Sequence, residues 1–268
     1  MERIAVLTSG GDAPGMNAAI RAVVKVAASR SLECVGVERG YDGLIDGRFT
    51  PLTRETPSGV VPIRGFQTMG NAGGTMLGSA RSDRFRDPEG RRTAARKMQE
   101  WGVTGLVVVG GNGSIQGAHK LATEQPVPVV ALPGSIDNDI GCTASAIGVD
   151  SAINTIVDAC DKISDTAQAH RRAFIVEVMG RSSGYLAMTA AIATAADGVL
   201  LPEVEKSREA VLATTADMIE RAFSTDRHKS QVLIIKAEGV EYGAAELAAE
   251  LETRLSSIHA DVRATVLG

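Results

Sequence analysis

The strongest constraint on the fold is an alternation that begins at residue 4. Short apolar runs end in glycine turns, and helical patterns follow them. Ile4–Leu7 runs into Gly10-Gly11, and Asn17–Ala28 follows with apolar residues at Ala19, Ile20, Val23, Val24 and Ala27, a helical spacing. Leu32–Val37 reads as a second strand. Leu106–Val109 ends in Gly110-Gly111 ahead of a helix over Ser114–Thr123, and Val127–Leu132 ends in Pro133-Gly134. Strand, glycine turn and helix in repetition specify a parallel sheet with helices on both faces. Such sheets hold ligands at the carboxyl ends of their strands, where these glycines fall.

A second series starts near residue 148. It comprises a helix over Asp150–Thr166, a strand at Ala173–Met179, a helix at Tyr185–Thr194 and strands at Gly198–Leu201 and Val232–Lys236. A helix over Glu246–Leu255 carries an apolar stripe through Leu247, Leu251 and Leu255. The chain therefore reads as α/β with two Rossmann-like parallel-sheet domains, 1–145 and 146–268. Residues 53–75, rich in Gly, Pro and Thr, read as an irregular, mobile flap.

Composition excludes several classes. The 28 Lys and Arg against 32 Asp and Glu leave a net charge of −4, without the basic excess of a nucleic-acid binder. No run approaches the ~18 apolar residues of a membrane span, and the N-terminal apolar run is too short for a signal peptide. Cys34, Cys142 and Cys160 form no CxxC pair, so they read as reduced thiols of a cytoplasmic protein. His119, His170, His228 and His259 are isolated, with no zinc-ligand spacing.

Three clusters carry the chemistry. The first, Thr8-Ser-Gly-Gly-Asp-Ala-Pro-Gly-Met-Asn17, lies between a strand and a helix, where backbone N–H groups and the helix dipole favour an anion. It fits neither GxGxxG nor GxxxxGK[ST]. The second is Gly110-Gly-Asn-Gly-Ser114. The third is Pro133-Gly-Ser-Ile-Asp-Asn-Asp139, whose Asp137 and Asp139 project to the same side if the chain is extended there. One carboxylate could accept a proton from a hydroxyl nucleophile while the other helps hold a metal. Each cluster alone also reads as a capped turn; three on one sheet favour a site.

These residues resemble the 6-phosphofructokinases. The likeness rests on Gly10–Arg21, Gly73-Gly-Thr-Met-Leu-Gly-Ser-Ala-Arg81, Pro133–Ile140, Val176-Glu-Val-Met-Gly-Arg181, Pro202-Glu-Val-Glu205 and Arg263-Ala-Thr-Val-Leu-Gly268, in order along the chain. The resemblance implies the phosphofructokinase fold and ATP-dependent phosphorylation of fructose 6-phosphate in glycolysis. It places Gly11, Tyr41, Arg81, Ser82, Arg86, Gly111, Asn112, Gly113 and Ser114 at ATP. Asp137 becomes the general base, with Ser135 and Asp139 beside it. Arg172, Met179, Gly180, Arg181, Glu238 and Arg263 would contact the sugar phosphate. Arg172 and Arg263 would reach into a neighbouring subunit's site, which implies a homo-oligomer, expected to be a tetramer. Glycine at 113 and 134, where pyrophosphate-using relatives tend to carry aspartate and lysine, resembles the ATP-using branch.

Departures accompany the likeness. Asn112 stands where the family places an aspartate that helps position Mg2+, leaving Asp139 as the carboxylate of the expected metal pair. Ser135 replaces a threonine. The family continues beyond the position of Gly268 with His-x-x-Arg-Gly-Gly, so the resemblance implies an incomplete C-terminus, whether fragment or truncation. Arg21, Asp197, Arg227 and Lys229 resemble effector-binding positions, but Ser164 replaces an arginine there. A catalytically impaired paralogue that regulates a partner subunit is an alternative; an NAD or lipid kinase, which shares the GGDG loop, lacks the other segments.

Overall fold

The computed structural model describes residues 2–204, 207–224, 229–258 and 260–268. Two compact units emerge, Met1–Ser135 with Ile140–Gly148, and Ile136–Asp139 with Val149–Gly268. Where the sequence reading has one boundary, the chain crosses three times. Residues 140–148 return to the first unit because Ile147 donates to the Pro133 carbonyl at 2.9 Å and accepts from Ser135 N at 3.1 Å.

The first unit is built on β1 (Arg3–Ser9), α1 (Met16–Ser29), β2 (Glu33–Val37), α2 (Gly40–Asp46) and β3 (Phe49–Pro51). There follow β4 (Thr53–Thr56), β5 (Gly59–Pro62), α3 (Phe66–Met69), α4 (Pro88–Glu100), β6 (Val103–Gly110), α5 (Asn112–Glu124) and β7 (Val129–Pro133). The sheet order is β3-β2-β1-β6-β7, parallel except for the β2–β3 pair. In β1, Ala5, Val6 and Leu7 are all 0% exposed, which requires cover on both faces of the sheet. Ala5, Leu7, Val35, Val37 and Val108 pack with Leu44 of α2, Met98 of α4 and Leu121 of α5, while α1 also lies against β1 and β2.

Residues 53–75 contain the antiparallel hairpin β4–β5 and the short α3, which corrects the expectation of an irregular flap. The hairpin is anchored at its first residue. Buried Thr53 accepts from Cys34 N at 2.8 Å, so β4 starts alongside β2.

The second unit comprises α6 (Val149–His170), β8 (Arg172–Val178), α7 (Tyr185–Ala193), β9 (Gly198–Leu200), α8 (Arg208–Phe223), β10 (Val232–Ala237), α9 (Ala244–Arg254) and β11 (Asp261–Leu267). Its sheet, ordered β11-β8-β10-β9, is parallel throughout. Ala173, Ile175, Val232, Ile234 and Val262 meet Val211 and Ile219 of α8 and Leu247 and Leu251 of α9. Each Val, Leu or Ile among them contributes about 1.5–3 kcal/mol on burial. The alternate residues Val176 and Ile235 are equally buried, and α6 and α7 pack against β8 and β10.

Candidate functional site

In the first unit, β1, β6 and β7 are neighbours, so their three polar turns lie side by side. Gly10 follows β1 with φ 89°, a conformation that glycine adopts without strain. Gly134 N donates to the Gly110 carbonyl at 3.0 Å, which locks the second turn to the third. A Cβ added at Gly111 would lie 3.6 Å from the Ser135 Cβ, placing Ser135 beside the α5 N-terminus. Gly11, Asn112 and Gly113 are exposed there. A Cβ at Gly113 would meet nothing within 4 Å, whereas one at Gly134 would press on Val109 Cγ1 at 3.1 Å and Met16 Cε at 3.4 Å. Position 113 is therefore open to a ligand, and position 134 is closely packed.

Ser114 and Tyr41, expected among the nucleotide contacts, are both buried and brace the turns. The Ser114 hydroxyl donates to the Ser9 carbonyl at 2.9 Å, tying α5 to the end of β1. The Tyr41 hydroxyl donates to the Ser114 carbonyl at 2.6 Å, and its ring stacks on Phe85 at 3.8 Å. Burial pushes the Tyr41 phenol above its ordinary pKa, so it stays protonated and keeps donating.

A strap over residues 72–80, ending at exposed Arg81, runs past the first turn. Gly10 N donates to the Ala80 carbonyl at 3.3 Å, and the Ser79 hydroxyl donates to the Gly10 carbonyl at 2.7 Å. Ser82 caps the next turn by accepting from Phe85 N at 3.1 Å and donates to Asp42 at 2.5 Å. Arg86 is exposed and loosely paired with Asp83 at 3.5 Å. Arg91, 3% exposed, braces the same turn by donating to the Phe85 and Arg86 carbonyls at 2.8 and 2.7 Å while gripping Glu124.

Asp137 and Asp139 group with the second unit, Asp137 half-buried and Asp139 exposed. Asn138 takes φ 51°, so the chain turns between the two carboxylates. The extended geometry that would set them on one side does not hold. A left-handed residue of this kind is one that asparagine tolerates well.

Of the remaining second-unit residues, Met179, Gly180, Arg181 and Glu238 follow the carboxyl ends of β8 and β10, whereas Arg172 and Arg263 lie toward the amino ends of β8 and β11. Gly180 has φ 135° and Arg181 φ 56°, and both N–H groups point at Glu238 Oε1, Gly180 N at 3.1 Å. Consecutive N–H groups aimed at one carboxylate form an anion nest. A Cβ at Gly180 would lie 2.7 Å from the Ser183 carbonyl, so only glycine fits. Met179 beside it is 43% exposed.

Arg172 on β8 and Arg263 on β11 share Asp261, at 2.5 and 2.7 Å. Burial pushes the Asp261 carboxyl up, but the Arg172 hydrogen bond and the Arg263 charge outweigh it and hold the group below the usual carboxylate range. One carboxylate thus keeps two guanidinium groups together on neighbouring strands, a pairing the sequence reading missed. It spans 89 residues, and only the β8–β11 register brings it together.

Among the described residues, no group of three or more His, Cys, Asp or Glu is placed to hold a metal. Asp12 and the Asn112 amide are the exposed oxygen donors at the first two turns of the first unit, and Asp139, the other expected ligand, groups with the second unit. Donors this sparse make no all-protein cage; their chemistry suits magnesium, which retains waters and takes one or two carboxylates together with substrate phosphates.

The expected effector positions divide between the units. Arg21 packs against Gly70. Asp197 pairs with Lys229 and accepts from Leu233 N at 3.0 Å. Ser164 lies on α6, and Arg227, like His228 and His259, lies outside the described residues.

The phosphofructokinase family model matches residues 3–268. An ATP-dependent 6-phosphofructokinase of Thermotoga neapolitana is 46% identical over 268 residues, covering all of this chain and 78% of that protein. One of Halothermothrix orenii is 45% identical over 240 residues, 90% of this chain and 68% of that protein. The phosphofructokinase of Saccharomyces cerevisiae superposes with TM-score 0.82 at 35% identity, covering the whole of this chain and 38% of that one. A pyrophosphate-dependent phosphofructokinase of Nitrosospira multiformis shares the fold, with TM-score 0.82 at 19% identity over 99% of this chain and 68% of that one.

Proposed function

Because the chain belongs to the phosphofructokinase family, we propose that it acts as an ATP-dependent 6-phosphofructokinase, a glycolytic kinase that converts fructose 6-phosphate to fructose 1,6-bisphosphate. The observation that carries this reading is the set of polar turns at the ends of adjacent β1, β6 and β7, within a chain matched by that family along its length. The first unit binds ATP. Exposed Gly11, Asn112 and Gly113 and half-buried Gly111 offer backbone N–H groups to its phosphates, and Arg81 and Arg86 offer cations. Tyr41, Ser82 and Ser114 hold those turns in place.

Asp137 acts as the general base. It takes the proton from the sugar 1-hydroxyl as that oxygen bonds to the γ-phosphorus, and the bond from phosphorus to the ADP oxygen breaks. Ser135 and Asp139 flank it. Asp139 and the Asn112 amide would be the chain's oxygen donors to a magnesium ion carried in on ATP, which would offset the phosphate charge. On the sugar side, Glu238, Met179, Gly180 and Arg181 form the floor, and Arg172 and Arg263 supply guanidinium forks suited to the 6-phosphate. Those two arginines serve the site of a neighbouring subunit in a homotetramer.

The enzyme works in the cytoplasm. Arg21, Asp197 and Lys229 stand at effector-binding positions of the family, and Ser164 in place of an arginine weakens the response to nucleotide or phosphorylated effectors. Among the described residues no helix is long and apolar enough to cross a membrane.

The test is stoichiometry in the wild type and its loss in one variant. Fructose 6-phosphate and Mg-ATP should yield fructose 1,6-bisphosphate and ADP one for one. Asp137→Asn should nearly abolish turnover while retaining fructose 6-phosphate binding by calorimetry. A variant that turns over like wild type would remove Asp137 from its role.

A further inference from the structure

We propose that Asn17 is a positioning residue for the phosphoryl donor: it holds the strap over residues 72–80 against the first glycine turn, and so sets Gly11 and Arg81 for the nucleotide phosphates. The role rests on the ATP-binding reading above and deepens it.

The strap lacks helix or strand, so its backbone N–H and C=O groups need partners elsewhere. Asn17, second residue of α1 and 4% exposed, supplies three. Its Nδ2 donates to the Ala72 carbonyl at 2.9 Å and the Gly73 carbonyl at 3.2 Å, and its Oδ1 accepts from Met76 N at 2.7 Å. A primary amide has two donor hydrogens and one acceptor oxygen on a short stem, which suits this turn. An aspartate keeps the acceptor and loses both donors; glutamine is longer by a methylene.

The rest of the strap is tied to the strand before that turn. Thr8, 0% exposed, has one hydroxyl hydrogen, which it donates to the Gly78 carbonyl at 3.0 Å while accepting from Thr75 Oγ1 at 2.8 Å. Leu77 accepts from Arg39 N at 2.8 Å, and residues 79 and 80 bond to Gly10. The later part of the strap is therefore held at Thr8, Arg39 and Gly10, and its start at residues 72–76 is held by Asn17, seven residues along the chain from Gly10. Losing the Asn17 bonds leaves residues 72–76 without three of their partners, upstream of the arginine that the strap delivers.

The test compares Asn17→Asp with Ile20→Val, a core truncation on the same helix at a residue 0% exposed. Hydrogen exchange over residues 72–80 is measured on the ligand-free proteins, and both Michaelis constants on the active ones. Asn17→Asp should speed exchange of the Met76 amide and raise KM for Mg-ATP at least tenfold. KM for fructose 6-phosphate should stay within twofold. Ile20→Val should lower the unfolding temperature and leave both constants where they were. If Asn17→Asp fails to fold, Thr75→Val, which removes the strap's bond to Thr8, should raise KM for Mg-ATP about threefold.

An unchanged KM for Mg-ATP, an equal rise in both constants, or the same shift in Ile20→Val overturns the inference. In that outcome the wild type still phosphorylates fructose 6-phosphate from ATP, so only the role of Asn17 falls. A wild type without ATP-dependent turnover instead overturns the functional reading, and the donor role with it.

Discussion

Asn112→Asp separates what a carboxylate does for a helix from what it does for phosphoryl transfer. Asn112 is the first residue of α5. The cap at Gly111 makes no side-chain bond, and no acidic residue occupies the first turn. The first turn of α5 itself thus supplies no carboxylate to the positive end of the helix dipole. Placing one at residue 112 should stabilise the ligand-free protein by about 0.3–1 kcal/mol. The gain should vanish as pH falls through the new carboxyl's pKa, near 4.

The same group gives magnesium a charged oxygen in place of a neutral amide. If that strengthens only the transition state, kcat should rise with KM for fructose 6-phosphate unchanged. A tenfold rise corresponds to about 1.4 kcal/mol. Thermal unfolding without ligands reads the first effect, and a coupled assay reads the second. A more stable variant with unchanged or lower kcat would refute the metal argument alone. A less stable one would refute the dipole argument.

Tyr41→Phe keeps the stack on Phe85 and loses the bond to the Ser114 carbonyl, so chemical unfolding should show a loss of about 0.5–1.5 kcal/mol. Its KM for Mg-ATP should change less than threefold; a tenfold change would mean that the hydroxyl touches the nucleotide. The folded pKa of Asp261 is depressed, so its contribution is present above the unfolded value near 3.9 and is lost as pH falls through the lower folded value. The difference in unfolding temperature between wild type and Asp261→Asn should therefore be largest at neutral pH and shrink below about pH 4; a constant difference contradicts this. Gly113→Asp, where an added Cβ meets nothing within 4 Å and the carboxylate joins the first turn of α5, should be at least as stable as wild type yet bind Mg-ATP more weakly by calorimetry, and a large loss of stability would show the position to be packed.

What was legible in the sequence is what repeats. Buried parallel strands such as β1 and β6 are continuous apolar runs, and the glycine turns that end them stand out. Elements that bury polar groups were not legible. Helix α4 turns Arg91, Ala94 and Met98 inward, and Arg91 breaks the apolar stripe because its carbonyl and carboxylate partners come from residues 85, 86 and 124. Helix α8 likewise buries Thr215, whose hydroxyl is satisfied by the Val211 carbonyl.

The hairpin of β4 and β5 and the edge strand β11 have short or interrupted patterns that pairing completes. In the site, family likeness singled out Arg172 and Arg263 but not the carboxylate that gathers them. It singles out Tyr41 and Ser114 but not the hydrogen bonds by which they brace the turns. Asn17 sat inside the first motif, and its role depends on a strap 55–59 residues away.

The central claim is that the glycine turns at the ends of β1, β6 and β7 serve ATP as phosphoryl donor to fructose 6-phosphate. The most direct measurement is the initial rate of fructose 1,6-bisphosphate formation with Mg-ATP and with Mg-pyrophosphate, side by side on one preparation of wild-type protein. Open Gly113 and glycine at 134 predict saturable turnover with ATP and none above background with pyrophosphate. Comparable rates with both donors, or turnover with pyrophosphate alone, would contradict it.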